Sequence, residues 1–76
     1  MTNSKIILSS IDDVKEFVSI ILKADFSADL SSGKYVVDAK SIMGIFSLDL
    51  SKPLDLKIHS ENGAEFLDKI KKFIVK

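Results

Sequence analysis

The sequence predicts a two-layer α+β domain with the element order βαββαβα, its helices packed on one face of a mainly antiparallel sheet. Three observations carry this. Leu54, Leu56 and Ile58 alternate with Asp55, Lys57 and His59, a clean period-2 strand. Two stretches, Ile11 to Leu22 and Phe66 to Ile74, repeat their apolar residues at steps of three and four, as amphipathic helices do. Two shorter apolar runs flank Ser31-Ser32-Gly33, a turn signal between strands of a hairpin.

The elements follow in order. Ile6-Ile7-Leu8 reads as a short buried strand. Ser10 is a good N-cap, and Asp12 and Asp13 put negative charge on the first turn of the helix behind it, where the macrodipole favours it. Ile11, Val14, Val18, Ile21 and Leu22 make the apolar stripe of that helix, which ends near Lys23-Ala24. Phe26, Ala28 and Leu30 alternate with polar residues as a half-buried strand, and Tyr35-Val36-Val37 is its return. Ser41 opens a short helix, Ile42-Met43-Gly44-Ile45-Phe46. Gly44 disfavours it by about 1 kcal/mol relative to alanine. Leu48 to Pro53 is a loop. Ser60 is placed to cap the last helix, whose apolar face is Phe66, Leu67, Ile70, Phe73 and Ile74. Lys69, Lys71, Lys72 and Lys76 lie toward its C-terminal end. Packing of Ile11, Val14, Val18 and Ile21 against Phe66, Leu67 and Ile70 is expected.

A chain of 76 residues allows one domain with one core, residues 1–76. At the usual per-residue range its stability is about 4–11 kcal/mol. Eleven basic residues balance eleven acidic ones, which argues against a general nucleic-acid binder. All eleven basic residues are lysines, so the planar fork with which arginine clamps phosphate is missing. No cysteine is present, which excludes disulfides, thiolate metal sites and thiol nucleophiles and fits a cytoplasmic protein. The apolar run near the N-terminus is too short for a signal peptide or a membrane span. No metal or other cofactor is expected, since His59 is the only histidine and reads as an exposed strand-end residue. No acid/base pair, nucleophile or metal constellation suggests an independent enzyme.

The segment Gly33-Lys34-Tyr35-Val36-Val37-Asp38-Ala39-Lys40-Ser41-Ile42-Met43-Gly44-Ile45-Phe46-Ser47-Leu48 resembles the middle of the HPr phosphocarriers, where a strand leads into Lys-Ser-Ile-Met-Gly at the start of the second helix. Length and element order agree with that family over nearly the whole chain. The resemblance implies an open-faced sandwich, four antiparallel strands under three helices. It also implies a place in the bacterial phosphoenolpyruvate-dependent sugar phosphotransferase system, which serves sugar transport.

HPr proteins carry phosphate on an imidazole at the N-terminal end of the first helix, with an arginine two residues later. Here that junction reads Ser9-Ser10-Ile11-Asp12-Asp13-Val14, with no histidine, and the chain has no arginine. Ser10, Ile11, Asp12 and Asp13 therefore form a degenerate active-site turn, and its aspartates repel phosphate. Acyl-phosphate chemistry on either aspartate needs a metal and a nearby cation that the sequence does not supply there. What remains is Ser41. In many Gram-positive HPr proteins the matching serine is phosphorylated by a dedicated kinase in catabolite repression, and one subgroup keeps this serine without the histidine. The resemblance thus implies a regulatory or adaptor protein phosphorylated at Ser41, with Lys40 beside it to offset the charge. Lys40, Ile42, Met43, Ile45 and Phe46 then form the partner-binding surface. The partners implied are phosphotransferase-system components, a serine kinase or a transcriptional regulator, with the chain a monomer or weak homodimer. Two alternatives stand beside this: a phosphocarrier with an unusual acceptor, and a diverged binding module that keeps only the fold.

Overall fold

The computed structural model describes residues 2–75. The order is β1 (Thr2–Ile6), α1 (Ile11–Ile21), β2 (Ser27–Ser32), β3 (Tyr35–Asp38), α2 (Ile42–Phe46), β4 (Leu54–His59) and α3 (Gly63–Lys69), followed by a 3₁₀ turn, Lys71–Phe73. The four strands form one sheet in the order β1-β4-β2-β3, and every neighbouring pair is antiparallel. The expected α+β sandwich, with a four-stranded antiparallel sheet and three helices, is therefore what the chain adopts.

β4 lies in the middle of the sheet and shows why one face is apolar. Leu54, Leu56 and Ile58 are buried under the helices, whereas Asp55, Lys57 and His59 are exposed on the other face. Ala28 and Leu30 of β2 pair with Ile58 and Leu56 and extend the same apolar surface. Gly33 takes φ +60°, which the two-residue connection Gly33-Lys34 requires between Ser32 and Tyr35. Glycine adopts that left-handed conformation without a Cβ penalty.

α1 places Val14, Phe17, Val18 and Ile21 on the sheet. Ile11, expected in that stripe, is 62% exposed, and Leu22 is exposed as well. The buried face keeps Val14, Val18 and Ile21 of the expected stripe and gains Phe17, which packs edge-on to Phe73 with ring centroids 6.3 Å apart. α2 lies close over β3: a Cβ on Gly44 would come within 3.1 Å of the Val37 Cβ. The glycine that weakens this helix locally is thus what lets it approach the strand.

Three boundaries differ from expectation. The first strand is Thr2–Ile6 rather than Ile6–Leu8. Thr2, Ser4 and Ile6 pair with Ile58, Leu56 and Leu54, and the chain leaves the sheet through the apolar run. The last helix starts at Gly63, with Asn62 at the N-cap position and no side-chain cap. Ser60 instead accepts a hydrogen bond from the Asn62 backbone N–H at 3.1 Å within the preceding turn. That helix stops at Lys69. Beyond the 3₁₀ turn the chain pairs with β1: the Ile7 N–H donates to the Phe73 carbonyl at 2.8 Å and the Val75 N–H to the Lys5 carbonyl at 2.9 Å. Phe66, Ile70 and Phe73 are buried as expected, with Leu67 and Ile74 packed against the core. Lys76, placed on this helix by the sequence, lies outside the described residues. No helix among the described residues is long and apolar enough to cross a membrane.

Candidate functional site

Two helix N-termini hold the residues singled out by the sequence. At the start of α1, the Ser10 hydroxyl accepts a hydrogen bond from the Asp13 N–H at 3.1 Å. The Asp13 carboxylate reaches back and accepts from both the backbone N–H and the hydroxyl of Ser9, each at 3.1 Å. This is a relative of the capping box, with the returning carboxylate closing on the residue before the cap. Asp12 and Ile11 are exposed on the same turn. Ser9 is the member that sequence reasoning missed, although Ser-Ser followed by Asp three positions on was its signal.

The consequence is electrostatic. Backbone N–H groups at a helix N-terminus usually welcome an anion, at about 0.3–1 kcal/mol for the dipole. Here the Ser10 hydroxyl takes the Asp13 N–H, and the Asp13 carboxylate stands on the same turn, bonded back to Ser9. The exposed Asp12 and the Asp13 carboxylate on this turn repel an incoming anion and so oppose the dipole. The turn holds no imidazole.

At the start of α2, the Ser41 hydroxyl accepts from the Gly44 N–H at 3.1 Å, and the Ile45 N–H donates to the Ser41 carbonyl at 3.0 Å. Ser41 is exposed, and no acidic residue lies in the first turn. The approach to it is shaped by Asp38, whose carboxylate accepts from the Lys40 N–H at 2.9 Å and whose carbonyl accepts from the Ser41 N–H at 2.9 Å. The Lys40 side chain does not lie free beside Ser41. Its Nζ donates to the Ala24 carbonyl at 2.9 Å, tying the start of α2 to the end of α1.

The apolar residues around Ser41 divide. Ile45 is fully buried and Ile42 is half-buried against the core, so the helix interior uses them. Met43 is 77% exposed and Phe46 39% exposed. The outward surface of α2 is therefore Ser41, Met43 and Phe46.

His59 is held at the end of β4 by Asp29 of β2, Nε2 to Oδ2 2.8 Å, on the helix-free face. No group of three metal-ligating side chains occurs among the described residues. The Asp49 carboxyl is held below its ordinary pKa by hydrogen bonds from the Ser51 hydroxyl and the Ser51 N–H.

No protein-family model matches this chain, and no curated protein matches it. Solved structures do. An HPr-C-His structure from Thermoanaerobacter tengcongensis is 23% identical, with 95% of this chain and 89% of that one covered and a TM-score of 0.80. A phosphocarrier protein HPr from Bacillus anthracis str. Ames is 18% identical, with 97% and 96% covered and a TM-score of 0.74. Matches that span both chains at this similarity identify the architecture, and the chain has the fold of the HPr phosphocarrier proteins.

Proposed function

We propose that this chain is an HPr-like protein of a phosphoenolpyruvate-dependent sugar phosphotransferase system that regulates rather than carries phosphate, and that Ser41 is its phosphorylation site. The observation behind this reading is the contrast between the two helix N-termini of an HPr fold. The α1 turn has no imidazole and is closed by Ser9, Ser10 and Asp13. Ser41 is exposed beside Met43 and Phe46. A phosphoserine carries about −1.5 to −2 charge at neutral pH. Set next to an exposed methionine and phenylalanine, it makes a mixed anionic and apolar epitope that a partner with an arginine reads well. The partners are cytoplasmic: phosphotransferase-system components, a serine kinase or a transcriptional regulator in catabolite repression.

A diverged binding module that keeps only the fold is the second reading. One observation favours it: the Lys40 amine is committed to the Ala24 carbonyl, so a phosphate on Ser41 would gain little from it.

The deciding experiment has two arms read by intact mass. Incubation with ATP and a Gram-positive HPr kinase should add about 80 Da, abolished by Ser41→Ala. Incubation with phosphoenolpyruvate and enzyme I should add nothing. An unmodified chain under conditions that modify an ordinary HPr leaves Ser41 a helix cap and favours the binding module. An acid-labile adduct in the second arm would make the chain a phosphocarrier with an unusual acceptor.

A further inference from the structure

The two edges of the sheet are treated differently. At the β1 edge the chain covers itself, with Ile74 bridging to Ile6 and Val75 bonded to Lys5. At the β3 edge the strand Tyr35–Asp38 presents its outer side to solvent. The Ala39 N–H donates to the Ala28 carbonyl at 2.9 Å, which fixes the alternation along β3. Tyr35, Val37 and Ala39 direct their backbone groups toward β2, so Val36 directs its N–H and carbonyl outward, while the Asp38 carbonyl already accepts the Ser41 N–H. Tyr35 is 75% and Val36 64% exposed.

The charges on this edge are incomplete. Asp38 pairs across the ladder with Asp29, a like charge. On its other side Asp29 lies opposite Lys57 of β4 in the ladder, and its carboxylate is hydrogen-bonded to the His59 ring. No salt bridge reaches Asp38 among the described residues, where its carboxylate accepts the Lys40 backbone N–H. Lys34, at the hairpin tip, has no ion-pair partner among them either.

We propose that the β3 edge pairs antiparallel with β3 of a second copy of this chain, about a two-fold axis at Val36. In that register Val36 faces Val36 of the partner subunit. Lys34 lies beside Asp38 of the partner subunit, and the symmetric contact repeats it. Each unpaired charge then meets its opposite, and the outward N–H and carbonyl of Val36 find partners. Two neighbouring registers are disfavoured. A slip of one residue sets Val36 against a strand position whose backbone groups point away. A slip of two, with Val36 facing Asp38 of the partner subunit, brings Lys34 against Lys40 of the partner subunit. A net charge of zero opposes nothing in the approach of two copies. β3 has four residues, so the contact belongs with transient interfaces that bury less than about 1,200 Å².

The experiment follows self-association by sedimentation velocity from about 10 μM to about 1 mM, the range in which such small interfaces populate. Amide chemical shifts are recorded over the same series. Wild type should dimerise reversibly, with shift changes centred on residues 34–38. Lys34→Asp and Asp38→Lys should each weaken the homodimer about tenfold, since two attractive cross-strand pairs become repulsive. Mixing the two variants should restore dimerisation, because both contacts become opposite-charge pairs again. Circular dichroism checks the fold. Should Asp38→Lys unfold, Lys34→Asp alone decides, since Lys34 makes no side-chain hydrogen bond or ion pair among the described residues. A monomer throughout the range overturns the proposal. So does a dimer indifferent to these charges, or one whose shifts centre on α2 or β1. Association only with an added extended peptide would assign the edge to a different partner and overturn it as well.

Discussion

Removal of the two serine caps should have unequal consequences, although the caps look alike. Ser10→Ala deletes the acceptor of the Asp13 N–H and Ser41→Ala that of the Gly44 N–H, both 3.1 Å bonds. A cap of this kind is worth about 1 kcal/mol, with a range of about 0.5–2. What differs is how the loss propagates. α1 has eleven residues and sets Val14, Phe17, Val18 and Ile21 in the core, so fraying its first turn loosens the layer over the sheet. The Ser9–Asp13 bonds also depend on that turn keeping its shape. α2 has five residues and buries Ile45 alone, so much of its loss is absorbed by local opening. The expectation for Ser10→Ala is the full 1 kcal/mol, or about 4–8 °C in Tm for a domain of this size. Ser41→Ala should cost about half as much. The assay is urea and thermal unfolding by circular dichroism for wild type, both single variants and the double variant. The two sites share no bond, so the double variant should be additive within about 0.5 kcal/mol. A Ser10→Ala change below about 0.3 kcal/mol would refute the claim that the Ser10 cap organises α1, as would Ser41→Ala costing more than Ser10→Ala.

Three other outcomes are expected. Gly63→Ala should destabilise strongly, because its new Cβ would lie 2.5 Å from Thr2 Oγ1 and 2.6 Å from Thr2 Cβ; Thr2→Gly should recover most of the lost Tm. Phe17→Leu keeps an apolar side chain but removes the edge contact with Phe73, and should cost about 1 kcal/mol in urea unfolding, within the range measured for aromatic pairs. Asp49 should titrate below the ordinary aspartate value in a carbon-detected NMR titration, and Ser51→Ala should bring it back up. Because its folded pKa is depressed, the stability it contributes is present above the unfolded pKa and is lost as pH falls through the folded one. Asp49→Asn should therefore flatten only the acid limb of the stability profile.

What could be read from the sequence was whatever local periodicity and capping decide. β4 came out residue for residue, because one face is buried, the other is solvated and Pro53 ends the loop before it. The Ser10 and Ser41 caps were legible for the same reason, since a cap is a local hydrogen bond. β1 was not, because its inward positions include the polar Thr2 and Ser4 at the margin of the sheet, while the apolar Ile6-Ile7-Leu8 marks the exit toward α1. The break after α3 was hidden as well. Its apolar spacing continues through Ile74, but the backbone of Phe73 to Val75 is claimed by β1, and no periodicity records a bond to a distant strand. Lys40 was misjudged for a related reason: its neighbour in sequence is Ser41, but its neighbour in space is Ala24.

The same distinction explains how the candidate site is built. At α1 the residues after the cap are Ile11, Asp12 and Asp13; the Ser10 hydroxyl accepts the Asp13 N–H, and the Asp13 carboxylate closes back on Ser9. That arrangement favours the folded helix and disfavours any external anion, so stability and phosphate binding pull in opposite directions on one turn. At α2 the corresponding positions are Ile42, Met43 and Gly44, which carry no charge. A hydroxyl is the only polar side chain there, and Gly44 keeps the turn close to β3 through its contact with Val37. A negative group added at Ser41 meets no carboxylate in the first turn of its helix, with Asp38 just before it, while the same group added at Ser10 meets Asp12 and Asp13. On this fold the difference between the two turns rests on which residues follow each serine.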